Sequence, residues 1–160
     1  MGQRRLARER AVQILYAIDR TGQSLTEALV NYLEMQEGRP RRSLHHFTAE
    51  LLEQALEHLP DIDRVLTEVI SHWQPERLAV VDKQILRLAV CEILFFPDIP
   101  PKVTLNEYIE VAKTYSGTEA AAFVNGVLDR IAHLKSEKFA AGLESAAPAR
   151  RKTRAAARKK

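Results

Sequence analysis

Four arginines stand near the start of the chain, in the stretch RRLARER (residues 4–10). From Ala11 onward apolar residues recur with helical spacing, so these arginines occupy or precede the first turns of an amphipathic helix. A helix N-terminus carries a partial positive charge, and cations there are disfavoured by roughly 0.3–1 kcal/mol each. Helix stability therefore does not explain the placement, whereas guanidinium groups suit bidentate contact with phosphate and stacking on bases.

The side chains of Arg4, Arg5 and Arg8 fall within about 100° of arc on a helix, while Arg10 lies on another side. One interpretation is an RNA-binding surface, because arginine-rich segments are a recurrent device of RNA recognition. The other is a solvated helix end, which is the usual meaning of a charge cluster. We predict an RNA-binding surface, in which RNA supplies the counter-charge of these arginines.

Signals of catalysis are poor throughout the sequence. His46 and Glu50, four residues apart with His45 beside them, share one side of a helix, but two ligands do not make a metal site. Cys91 lies in the most apolar segment, where a buried, inert thiol is expected. No Gly-rich phosphate loop and no paired-cysteine spacing occurs in the sequence. We therefore predict a protein that is not an enzyme and needs no cofactor or metal.

Charge is distributed unevenly along the 160 residues, a length that suits one domain. The net charge is +3, but residues 1–10 alone carry +3 and residues 148–160 carry seven basic residues and no acidic one. Residues 11–147 therefore carry a net charge of −7. Basic ends on an acidic body indicate local contact sites for polyanions, and an acidic body suits a basic protein partner.

The sequence predicts a soluble cytoplasmic protein. No segment approaches the ~20 uninterrupted apolar residues that a membrane span requires, since the best candidate contains Glu92 and is followed by Pro97. The N-terminus lacks the apolar region of a signal peptide. The single cysteine permits no internal disulfide, which fits a reducing compartment.

Helical periodicity extends along nearly the whole chain to about residue 134, and no segment alternates with period two. Capping-box spacings predict helix starts at Ser24 (SLTE) and Thr104 (TLNE), and Gly117 is expected to end the helix that Thr104 begins. Segment 81–94 is apolar on nearly all sides and is predicted to be the buried central helix. The fourth apolar stripe is predicted to run from Ile62 to Trp73.

The result is an all-α prediction of about seven helices. Residues 1–141 form the helical domain, and residues 142–160 form a basic tail that is expected to be disordered. The last helix is predicted over 119–134, with Phe123 among its inward-facing apolar residues. The tail adds salt-sensitive attraction to phosphate or serves only solubility, and the composition leaves both open.

Three blocks together resemble the NusB family of transcription antitermination factors: ARERAVQILY, VDKQILRLAVCEI, and PPKVTLNEYIEVAK followed by FVNGVLDRI. The resemblance covers about residues 4–134. It implies a fold of two small helical bundles without enzymatic activity. It further implies binding, together with the small-subunit ribosomal protein NusE, to a short single-stranded boxA element, chiefly in ribosomal RNA leaders. In this way such proteins help elongating RNA polymerase resist termination, and family members occur as monomers or homodimers.

The resemblance also suggests which residues contact RNA. The arginine-rich start of the first helix falls on Arg4, Arg5 and Arg8, with Leu6 standing where some members have arginine. A second RNA-contacting patch at the start of the last helix falls on Glu119 and Phe123. Many members have aspartate where this chain has Glu119. Without the resemblance, Phe123 would be assigned to the core.

For the ribosomal-protein partner, the resemblance points to Tyr16 in the first helix and Asp82 at the start of the central helix. Asp82 is one methylene shorter than the glutamate of some members, and it also suits a helix N-terminus on electrostatic grounds alone. An alternative function is an RNA-positioning module of an RNA methyltransferase system, because NusB-like domains precede some RNA cytosine methyltransferases. The sequence carries no α/β cofactor-binding region and no catalytic cysteine motif to support it.

Overall fold

The computed structural model describes residues 3–35, 42–70 and 79–135, and in these ranges it is entirely helical with short connections. The all-α prediction is confirmed. The described elements are α1 (Gln3–Thr21), α2 (Leu25–Met35), α3 (Arg42–Glu57), α4 (Leu59–Val69), α5 (Val80–Phe95), α6 (Pro101–Ser116) and α7 (Thr118–Leu134). None of these helices is both long enough and apolar enough to cross a bilayer.

Helix α5 is the centre of the fold, as its all-round apolar character predicts. Every residue from Lys83 to Phe95 is buried, and the helix packs against α1, α3, α4, α6 and α7. Helix α5 contacts α1, α3 and α4, which precede it in the chain, and α6 and α7, which follow it. These two groups of helices therefore share one continuous apolar core. Cys91 is buried in this core, which confirms the predicted burial of its thiol.

Two of the three helix boundaries predicted from local patterns are confirmed. The hydroxyl of Ser24 accepts a hydrogen bond from the backbone N–H of Glu27 at 3.1 Å, which is the N-cap that the SLTE spacing predicts. Gly117 has a φ of 95° and separates α6 from α7. This left-handed region is strained for other residues, so glycine suits the junction.

The start of α6 differs from the prediction. The helix begins at Pro101, whose fixed φ suits a first helical position, so Thr104 lies inside the helix and is not a cap. Thr104 is buried, and its hydroxyl donates instead to Oε1 of Glu92 at 2.9 Å. Thr104 therefore makes a tertiary contact and does not cap the helix, because its hydroxyl is a hydrogen-bond donor to the buried Glu92 carboxylate.

Some predicted features lie outside the described residues. Helix α4 is described to Val69, so Trp73 at the end of its predicted stripe is not included. The basic tail, residues 142–160, is also outside the described ranges.

Candidate nucleic-acid interface

The three predicted RNA-binding arginines of α1 lie at three different depths. Arg4 is exposed, Arg5 has 30% of its side chain exposed, and Arg8 has only 2% exposed. The arc that these residues share on α1 therefore crosses the boundary between the surface and the core. Their chemical environments therefore differ.

Arg8 forms a buried ion pair with Glu92 of α5. Its Nε donates to both carboxylate oxygens, at 2.9 and 3.1 Å, and its Nη2 donates to Oε1. The Thr104 hydroxyl adds a further donor to the same carboxylate. Burial opposes the charge on Arg8, but the Glu92 carboxylate outweighs it and raises the pKa of Arg8. Both charges are thus paired inside the core.

Tyr108 of α6 lies beside this pair, with its ring centroid 5.8 Å from the Arg8 guanidinium carbon. Burial, followed by the nearby Glu92 charge, raises the pKa of Tyr108 well above its usual range. The phenol therefore remains neutral, and the buried site holds one cation and one anion.

Arg5 forms a second ion pair at the edge of the core. Its Nε and Nη2 donate to Oε1 and Oε2 of Glu107 on α6, at 3.1 and 2.7 Å. Nη1 of Arg8 lies 3.6 Å from Glu107 Oε1, so this carboxylate contacts two arginines. The hydrogen bonds from Arg5 lower the pKa of Glu107 and, reciprocally, raise that of Arg5.

The hypothesis that RNA supplies the counter-charge is therefore wrong for two of the three arginines. Glu92 and Glu107 provide it within the protein. Sequence reasoning missed both acids as partners, although one signal was visible. A glutamate inside the most apolar helix cannot remain unpaired in a core, so Glu92 required a buried cation.

Arg4 is the most exposed arginine of this group. Its guanidinium carbon lies 4.5 Å from the ring centroid of Phe47 on α3, a cation–π contact. No carboxylate in the described ranges lies within ion-pair distance of Arg4. Its N–H groups therefore remain accessible to a phosphate.

The second predicted RNA patch lies on the surface at the start of α7. Phe123 has 41% of its surface exposed, so its assignment as an inward-facing residue is wrong. The buried side of α7 consists instead of Ala121, Val124, Val127, Leu128 and Ile131. Glu119 is exposed in the first turn. Helix α6 packs against both α1 and α7 and so connects the two patches.

The predicted partner residues lie where α1 meets α5. Lys83 Nζ is 2.9 Å from Asp19 Oδ2, which joins the end of α1 to the start of α5. The hydrogen bond from Lys83 lowers the pKa of Asp19. Tyr16 and Asp82, one on each of these segments, are both half-buried. Oδ1 of Asp82 is buried and makes no hydrogen bond with the described residues.

His46 and Glu50 lie on one side of α3 and contact each other. His46 Nε2 lies 3.1 Å from Glu50 Oε1, and no group of three or more metal-ligating residues occurs in the described part of the chain.

Comparisons with known proteins define the family. The NusB family model matches residues 5–133, so the chain belongs to the NusB family. Transcription antitermination protein NusB of Thermodesulfovibrio yellowstonii is 40% identical over 139 residues, which cover 81% of this chain and 91% of that protein.

Two solved structures are similar in fold. A crystal structure of the antitermination factors NusB and NusE in complex with dsRNA contains a chain with 28% identity and a TM-score of 0.73, covering 83% of this chain and 98% of that chain. T. maritima NusB has 34% identity and a TM-score of 0.70, covering 83% and 92% respectively.

The buried ion pair predicts a large effect on stability. Arg8→Met should lower the free energy of unfolding by about 3–5 kcal/mol, because it leaves the Glu92 carboxylate buried without its cation. Urea unfolding followed by circular dichroism measures the change. The double variant Arg8→Met/Glu92→Leu should recover most of the loss, since neither charge then remains. Equal stability of Arg8→Met and the wild type would contradict the assignment.

The lowered carboxyl pKa values predict loss of stability in acid. Glu107 and Asp19 bind protons more weakly in the folded chain than in the unfolded chain, so their contribution is complete above the ordinary carboxyl pKa. It should disappear as the pH falls from about 5 to below 3. Unfolding measured over this range should show a shallower pH dependence in Glu107→Gln than in the wild type. Identical slopes would show that Glu107 contributes nothing.

Proposed function

We propose that this chain is a transcription antitermination factor that binds boxA-type single-stranded RNA together with the ribosomal protein NusE. Through these contacts it acts on elongating RNA polymerase and supports transcription of ribosomal RNA. The observation that carries the proposal is the similarity, over 83% of the chain, to a chain in a crystal structure of NusB and NusE in complex with dsRNA. The acidic body, with −7 over residues 11–147, suits a basic ribosomal protein.

The proposed RNA surface runs from the start of α1 to the start of α7. Arg4 and Arg5 contact phosphates, and Phe123 stacks on an unpaired base, a contact of about 1–3 kcal/mol. Glu119 offers an acceptor for a base amino group. The resemblance places Arg8 among the RNA contacts, but its burial favours a supporting role beneath Arg5.

The proposed NusE surface is the junction of α1 and α5. Tyr16 supplies a half-buried aromatic ring, of the type enriched at protein interfaces. Asp82, whose side chain is half-buried at the start of α5, supplies a carboxylate for a basic partner. No specific observation favours the methyltransferase-module alternative, and the curated relative is matched over 91% of its own length.

Removal of the two surface arginines should weaken RNA binding. For Arg4→Ala/Arg5→Ala we expect at least about a tenfold loss of affinity, because two charge-assisted contacts are removed. The slope of log K against log[salt] should become shallower by about 1.4, or 0.7 for each phosphate contact. Fluorescence anisotropy with a short boxA-type single strand measures both.

The control for this experiment is Arg64→Ala, which removes an exposed arginine that pairs with Asp61 on α4. It should bind RNA like the wild type. Adding NusE should tighten binding of the single strand cooperatively. Binding of the same sequence as a duplex is measured for comparison with binding of the single strand. Equal binding by the double variant and the wild type would defeat the proposal. Light scattering of the free chain distinguishes a monomer from a homodimer.

Phe123 gives an independent test of the second patch. Phe123→Ala should weaken binding of the single strand by about 1–3 kcal/mol through loss of stacking. Its thermal stability should change less than in variants of the fully buried apolar residues of α7, because 41% of the Phe123 surface is already exposed in the free protein. Phe123→Trp is the matched variant that should retain binding. If Phe123→Ala destabilises the fold but binds RNA normally, the residue belongs to packing.

A further inference from the structure

The geometry points to Glu107 as a positioning residue for RNA binding: it holds one edge of the Arg5 guanidinium so that the other edge meets a phosphate. This inference rests on the proposed function and concerns the same surface. It assigns a supporting role to an acidic side chain where electrostatics alone would predict that acid to weaken RNA binding.

A guanidinium group has two edges that can bind a pair of oxygens. The side edge consists of Nε and Nη2, and the terminal edge consists of Nη1 and the second hydrogen of Nη2. Glu107 occupies the side edge of Arg5 with both of its oxygens. Nη1 of Arg5 makes no hydrogen bond within the described ranges, and 30% of the side chain is exposed. The terminal edge is therefore open to a bidentate phosphate contact.

Glu107 is itself held in place from below. Nη1 of the buried Arg8 lies 3.6 Å from its Oε1, and the carboxylate is only 20% exposed. Helix α6 is further tied to α5 by the hydrogen bond from Thr104 to Glu92. The positive charge of Arg8 also offsets repulsion between the Glu107 carboxylate and an incoming phosphate. A rigid support of this kind reduces the side-chain entropy lost when Arg5 binds.

The opposing view is that Glu107 competes with phosphate for Arg5. Competition would require the partly buried, bidentate ion pair to break before RNA could bind. Contact at the terminal edge requires no bond to break, which favours positioning. The two views predict opposite effects of removing the carboxylate charge.

The test compares Glu107→Gln with Glu110→Gln in the full-length protein. Glu110 lies one turn further along α6, is 46% exposed and pairs with Lys113 at 3.3 Å. Both substitutions remove one negative charge near Arg5. Only Glu107→Gln removes the carboxylate that binds Nε and Nη2 of Arg5. We expect Glu107→Gln to weaken binding of a short boxA-type single strand roughly threefold to tenfold. Glu110→Gln should leave binding unchanged or slightly tighter.

A double-mutant cycle separates positioning from a general structural effect. In an Arg5→Ala background, Glu107→Gln should cause no further loss, because the side chain that it positions is absent. A loss that persists in that background, or tighter binding by Glu107→Gln, would overturn the inference. Arg5→Lys keeps the positive charge but lacks the two bidentate edges of a guanidinium group. It should therefore lose most of the contribution of Arg5 to RNA affinity. Wild-type affinity in Arg5→Lys would likewise overturn it.

Failure of the proposed function gives a different result. In that case the wild type would not bind the single strand, or Arg4→Ala/Arg5→Ala would bind as the wild type does. If the arginines matter and Glu107→Gln binds normally, only the positioning role is wrong.

Discussion

The ion pair between Arg8 and Glu92 is the interaction on which the arrangement of this protein depends. It places a full positive charge from α1 and a full negative charge from α5 inside the core, where neither is stable alone. Thr104 of α6 completes the site by donating to the same carboxylate. The three helices must therefore keep one mutual position, because any shift would leave a charge without its partner.

This buried pair explains how basic residues occupy the start of α1 despite the helix dipole. Arg8 and Arg5 are compensated by carboxylates of other helices, so α1 does not bear their charge alone. Phe47 of α3 lies against the guanidinium groups of both Arg8 and Arg4, at 5.4 and 4.5 Å. A graded series results, from a neutralised arginine in the core to an accessible one at the surface.

Packing also separates structural residues from surface residues on α7. The hydrophobic pattern does not distinguish Phe123 from Val124, because both are apolar neighbours in one helix. The structure buries Val124 completely and leaves much of Phe123 in solvent. Burial of apolar surface stabilises the fold, so Val124 contributes more to the packing of α7 than its size relative to Phe123 suggests.

Much of the fold could be predicted from the sequence, because helical periodicity and burial follow from local patterns. The central position of α5 and the Ser24 cap are examples, since each depends on residues that are neighbours in the chain. The Thr104 boundary was wrong because a capping pattern describes only its own helix, whereas this hydroxyl serves a carboxylate of α5.

For the candidate site, the sequence alone establishes that arginines cluster at the start of one helix. Which of these arginines is neutralised in the core and which meets solvent follows from the packing of the helices. The reason is that their acidic partners, Glu92 and Glu107, lie 84 and 102 residues away in the chain. Pairing over such separations depends on how the helices pack, and no local pattern encodes it.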